Sequence, residues 1–108
     1  MSDLRNNIKF NYLYRDAGNY KVCGYEVFSN PESLELAFVE GKIRESLING
    51  EFFDPGYWKV KCLKHEDWVP ELDHTWNEYN SIEFTAESPT NSLSVTEFLK
   101  VITKIPKY

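Results

Sequence analysis

His65 and His74 are the chain's two histidines, and Cys23 and Cys62 are its two cysteines. These residue types ligate transition metals or act as bases and nucleophiles, so their spacing decides whether such chemistry is available. The cysteines lie 39 positions apart with no CxxC, which excludes the spacings of a zinc ribbon or a redox dithiol. They are expected to be small buried hydrophobes, unbridged in a reducing compartment. Each histidine has a carboxylate beside it, in His65-Glu66 and Asp73-His74. Neighbours on an extended chain point apart, so neither pair makes a metal site by itself. GxSxG, the P-loop, GxGxxG and HExxH are all absent. The sequence therefore assigns no catalytic residue, no metal ligand and no cofactor, and a small hydrolase using His74 with Asp73 or Glu78 ranks last among the readings.

Charge is distributed with more information. Residues 1–64 carry nine acids and nine bases, whereas residues 65–99 carry eight acids and no Lys or Arg. Those acids are Glu66, Asp67, Glu71, Asp73, Glu78, Glu83, Glu87 and Glu97. A single-sign block of this length repels itself unless it meets a positive partner. It is either a solvated acidic loop or a surface for a basic groove on another macromolecule. Trp68 and Trp76 are interleaved with the acids, each a loop anchor or an exposed contact, and Trp side chains are enriched at binding hot spots. Acids and aromatics without bases argue against direct nucleic-acid binding, which needs Lys and Arg on phosphates. A second polar cluster, Tyr14-Arg15-Asp16 with Asn19 and Lys21, is either a local turn with an ion pair or an anion site built on Arg15 and Lys21.

These groups need elements to hold them. Ile8, Phe10, Tyr12 and Tyr14 alternate with Lys9, Asn11, Leu13 and Arg15, the period of a half-buried strand. Turn formers follow at 16–19, and β character resumes from Tyr20 to Phe28, so residues 8–28 read as a hairpin; Gly24 marks an expected bulge. Asn30 and Pro31 suit the N-cap and first turn of a helix over 31–48. Leu36, Val39, Ile43 and Leu47 form its apolar stripe, Glu40 and Arg44 an i,i+4 pair, and Gly50 its left-handed cap. Tyr57–Leu63 alternates as a strand with Trp58 inward, residues 64–80 show no period, and a further strand is expected near 81–87. Ser94 with Glu97 is a capping box that opens a last helix bearing Val95, Phe98, Leu99 and Ile102.

The order β-β-α-β-β-α predicts an α+β fold: one antiparallel sheet of about four strands with two helices packed on one face. A length of 108 residues fits a single domain, 1–108. Composition is globular, at 42% hydrophobic and 27% charged, with aromatics high at 16% and a net charge of −5. Neither a membrane span nor the apolar run of a signal peptide is present, which points to the cytoplasm.

Four stretches, Asn11–Lys21, Val27–Pro31, Ile43–Phe53 and Leu72–Trp76, resemble a family of small proteins of bacteria, their phages and mobile elements. The resemblance implies an intracellular bacterial setting and carries no activity, cofactor or catalytic residue with it. Together these readings lead to a non-enzymatic interaction module whose partner is a protein with a basic surface. Its contact residues would be Glu66, Asp67, Trp68, Glu71, Asp73, Trp76 and Glu78. By analogy with small acidic phage inhibitors, it would occupy the basic groove of a nucleic-acid-handling or host-defence complex. The alternative is a small-ligand or nucleotide-binding domain that uses Arg15 and Lys21.

Overall fold

The computed structural model describes residues 6–15, 18, 20–63 and 76–104. Its elements are β1 (Asn7–Arg15), β2 (Lys21–Phe28), α1 (Leu36–Ser46), β3 (Phe52–Phe53), β4 (Asn77–Thr85) and α2 (Val95–Thr103). They form the expected α+β plan, with four strands in one antiparallel sheet in the order β2-β1-β4-β3.

The alternation in β1 sets up the two faces. Ile8, Phe10, Tyr12 and Tyr14 are all buried and point toward the helices. Phe10 is the hub, with the rings of Tyr12, Phe28, Phe53, Trp58, Tyr79 and Phe98 centred 5.1 to 6.4 Å away. Val39, Ile43 and Leu47 from α1 and its C-terminal flank, and Val95, Phe98, Leu99 and Ile102 from α2, complete the same core. Burying one such side chain contributes about 1.5–3 kcal/mol, so this single-faced cluster is the main source of stability. At α2 both halves of the capping box form: Ser94 Oγ accepts from the Glu97 amide at 3.2 Å, and Glu97 Oε1 accepts from the Ser94 amide at 2.9 Å.

Several expectations need correction. The first helix begins at Leu36 rather than near Pro31. Asn30 spends its side chain on a tight turn instead, accepting from the Leu34 amide at 2.9 Å and donating to the Leu34 carbonyl at 3.0 Å. Ser33 then adopts φ 53°, which no helical residue can have. Gly50 does take a left-handed φ of 73°, but beside Asn49 at 54° in the turn that leads to β3 rather than as a helix cap. Residues 57–63 are not a strand. The chain winds from Asp54 through hydrogen bonds Trp58 N to Asp54 O and Val60 N to Pro55 O, both 3.1 Å, with Lys59 at φ 63°. Trp58 and Val60 are buried all the same, but Cys62 is exposed and Leu63 buried in its place, so the expected inward alternation holds only as far as Val60. The third strand is Phe52–Phe53, and the fourth starts at Asn77 rather than near 81.

Gly24 makes no bulge, because β1 and β2 pair in unbroken register from Ile8↔Phe28 to Arg15↔Lys21. It leaves room for Leu63: a Cβ at position 24 would lie 2.9 Å from Leu63 Cδ2. The irregularity falls on β4, where the register passes from Asn11↔Ser81 to Tyr12↔Tyr79 and leaves Asn80 as the extra residue.

Candidate functional site

Arg15, from one of the polar clusters, and Glu78, from the acidic run, meet at one end of the sheet. β1 ends at Arg15 opposite Lys21, the first residue of β2, while β4 begins with Asn77 and Glu78, and Glu78 pairs with Leu13. Arg15 and Glu78 therefore project from the same face, and the guanidinium closes on the carboxylate, Nε to Oε2 at 2.9 Å and Nη2 to Oε1 at 3.5 Å. The hydrogen bond that Arg15 donates to Glu78, reinforced by the carboxylate's charge, raises the Arg15 pKa. Arg15 is thus engaged by a carboxylate rather than presented alone to an anion, and Lys21 stands exposed beside it.

Asn77 is the residue that organises this end. It is fully buried, accepts at Oδ1 from the Leu63 amide at 3.1 Å and donates from Nδ2 to the Leu63 carbonyl at 3.4 Å. A buried polar side chain must be satisfied in this way or it destabilises the fold. The clasp brings the residues before and after segment 64–75 together. Trp76, the first described residue beyond that segment, is 37% exposed, and its ring lies 6.2 Å from that of Phe52 in β3. Glu66, Asp67, Trp68, Glu71 and Asp73, like His65 and His74, lie outside the described residues. Asn77 is missed in the sequence because it is one polar residue among many in a stretch without period. Its only signal is a place two before Tyr79 on the strand's inner face.

Behind this end lies a second polar group. Tyr79 donates to Glu40 Oε2 at 2.7 Å, Arg44 Nη2 donates to the same oxygen at 3.4 Å, and the Arg44 guanidinium stands 5.3 Å from the Tyr79 ring centroid. Burial first, then the bond to Glu40, pushes the Tyr79 pKa well above the ordinary tyrosine value. Tyr12 is raised likewise, chiefly by burial and then by the charges of Glu26 and Cys62, and donates to the Lys61 carbonyl at 2.6 Å.

The face of the sheet away from the helices is a polar network. Asn11 donates to Ser81 Oγ at 3.3 Å and to Glu83 Oε2 at 3.1 Å. Lys9 pairs with Glu87 at 3.3 Å and stands 4.1 Å from the Tyr25 ring centroid, and Tyr25 donates to Glu87 Oε1 at 2.8 Å. The Tyr25 hydroxyl, then Lys9, holds the Glu87 carboxyl below its usual range. Cys23 and Cys62 are both exposed thiols outside any disulfide, contrary to the buried placement expected. Cys23 belongs to the open face because its partner in the register is Leu13, and Cys62 lies on the irregular run that crosses to Leu63. No group of three or more metal-ligating side chains occurs among the described residues.

No helix among the described residues is long and apolar enough to cross a membrane. No protein-family model, no curated protein and no solved structure matches the chain.

Proposed function

We propose that this protein is a small acidic interaction module that binds a partner protein through residues 65–80, fitting a basic groove of the kind that nucleic-acid-handling complexes use for phosphates. The observation that carries this reading is the run of eight acids without one Lys or Arg from 65 to 99. The Asn77 clasp supports it, because it anchors the base of the acidic segment to the core. So does Trp76, which presents part of its ring at the same end of the sheet. Opposed potentials of this sort speed encounter and select partners, and aromatic anchors supply much of the affinity.

The experiment compares the parent chain with the variant Glu66→Lys/Asp67→Lys/Glu71→Lys/Asp73→Lys as bait in bacterial lysate. The parent should retain a protein that the variant does not, and retention should fall steeply as salt rises. Equal retention by both baits, or retention indifferent to salt, rules out the acidic surface as the contact.

A further inference from the structure

Among the described residues, β4 has a partner along most of its length on one side and at only its first residues on the other. β1 pairs with it from Asn7↔Thr85 to Leu13↔Glu78. β3 covers only Asn77 and Glu78, with one more bond from the Tyr79 amide to the Glu51 carbonyl at 2.9 Å. Beyond the extra residue Asn80, the outer edge of Ser81–Thr85 has no backbone partner among the described residues. The sheet's other edge is treated differently. There the Val27 carbonyl accepts from the amides of Thr90 and Asn91, the Val27 amide donates to Thr90 Oγ1 at 2.8 Å, and Val95 N donates to Ser29 O at 2.8 Å. The rest of β2 contains Lys21 and Gly24, residues that blunt an edge. The open stretch of β4 is Ser-Ile-Glu-Phe-Thr, with high β propensity and neither lysine nor proline.

We infer that the outer edge of Ser81–Thr85 accepts an extended segment of the partner, one that alternates basic and apolar residues and adds to the sheet as a fifth strand. The inference rests on the acidic-surface reading above and gives that partner a binding mode. Alternation follows from the two faces of β4. On the helix side stand Ile82, half-buried, and Phe84, 43% exposed, whose apolar surface an incoming strand would cover. On the open side stands Glu83, which accepts a hydrogen bond from Asn11 but forms no ion pair among the described residues. Glu78 and Glu87 on that side already have Arg15 and Lys9. Glu83 faces Lys9 across β1, but that ammonium pairs with Glu87 at 3.3 Å, so two carboxylates share one base and a Lys or Arg on the other side of Glu83 meets the second at cross-strand distance. Charge also argues against a second copy of this chain as the occupant. Self-pairing about position 83 sets Glu83 against Glu83, and every register brings together two molecules of net charge −5.

The test uses three capped hexapeptides as probes, titrated into the full chain by calorimetry at low and moderate salt. One alternates lysine and valine, one carries the same residues as a lysine block and a valine block, and one is the alternating peptide N-methylated at every second residue. The alternating peptide should bind, while the block isomer and the N-methylated form should bind many-fold more weakly. Phe84→Lys and Glu83→Lys should each weaken the alternating peptide without lowering the melting temperature. Equal binding of the alternating and block peptides overturns the inference, because attraction alone would then suffice, and it leaves the acidic surface standing. Absence of binding overturns it too, as does a parent chain that sediments as a dimer which Phe84→Lys dissociates. In the lysate experiment, a protein lost from the four-Lys bait but retained by Phe84→Lys and Glu83→Lys would overturn the edge and leave the acidic reading intact.

Discussion

Tyr12 and Tyr79 show how much one polar atom matters inside an aromatic core. Both rings lie against Phe10, yet each hydroxyl finds an acceptor, the Lys61 carbonyl for Tyr12 and Glu40 for Tyr79. Burial raises both pKa values in the folded state, with the Glu40 bond adding to the shift at Tyr79. A raised folded pKa stabilises the neutral form. The contribution is therefore complete below the unfolded tyrosine value of about 10 and is lost as pH climbs from there toward the folded value. Chemical denaturation between pH 8 and 11.5 should show stability falling above about pH 10. Tyr12→Phe/Tyr79→Phe should flatten that fall, at a neutral-pH cost of about 1–3 kcal/mol for two lost hydrogen bonds. A parent curve that stays flat across the range, or a double variant with the parent's slope, would contradict the assignment.

The elements differ in how plainly the sequence announces them, and the reason is how local their causes are. The terminal helix was legible in full because Ser94, Glu97 and its apolar face act within a few residues of one another. The hairpin was legible because Ile8, Phe10, Tyr12 and Tyr14, every second residue of β1, all face the core. The start of α1 was not, since Asn30 and Pro31 suit a tight turn as well as a helix cap, and a left-handed Ser33 decides between them. Residues 57–63 failed for a tertiary reason: Trp58 and Val60 reach the core from a turn whose residue between them, Lys59, has positive φ. Of the candidate site, its charge and Trp76 were readable, whereas the meeting of Arg15 with Glu78 depends on strand order. For α2 the local logic predicts a ranking. Ser94→Ala should lose about 1 kcal/mol as a removed cap. Phe98→Ala should lose about 3–5 kcal/mol, because the ring is buried and stacks on Phe28 at a centroid distance of 4.3 Å. Lys104→Ala, at an exposed end, should be neutral. Denaturant midpoints give the order directly, and a Phe98→Ala chain as stable as the parent would remove α2 from the core.

At the scale of the whole molecule, the layout separates what folds from what is proposed to bind. The core is one continuous cluster on the helix side of the sheet, built from residues between Ile8 and Leu63 and between Tyr79 and Ile102. Segment 64–75 enters after Leu63 and leaves before Asn77, and those two residues already hold each other by two hydrogen bonds. Fold and acidic segment should therefore be separable. Replacing residues 64–75 with a four-residue Gly/Ser linker removes four acids and one base, taking the net charge from −5 to −2. Shortening the closed loop threefold favours the folded state by about 1 kcal/mol, a small term next to the core. The expected result is a chain that melts within a few degrees of the parent, keeps its far-UV circular dichroism and no longer retains the partner. Asn77→Ala in the parent supplies the complementary case. There the segment remains but the clasp is lost, so stability should fall by about 1–3 kcal/mol for the unsatisfied buried groups. A linker variant that fails to fold would make 64–75 part of the core, and its acids would then have to be explained by the fold rather than by a partner.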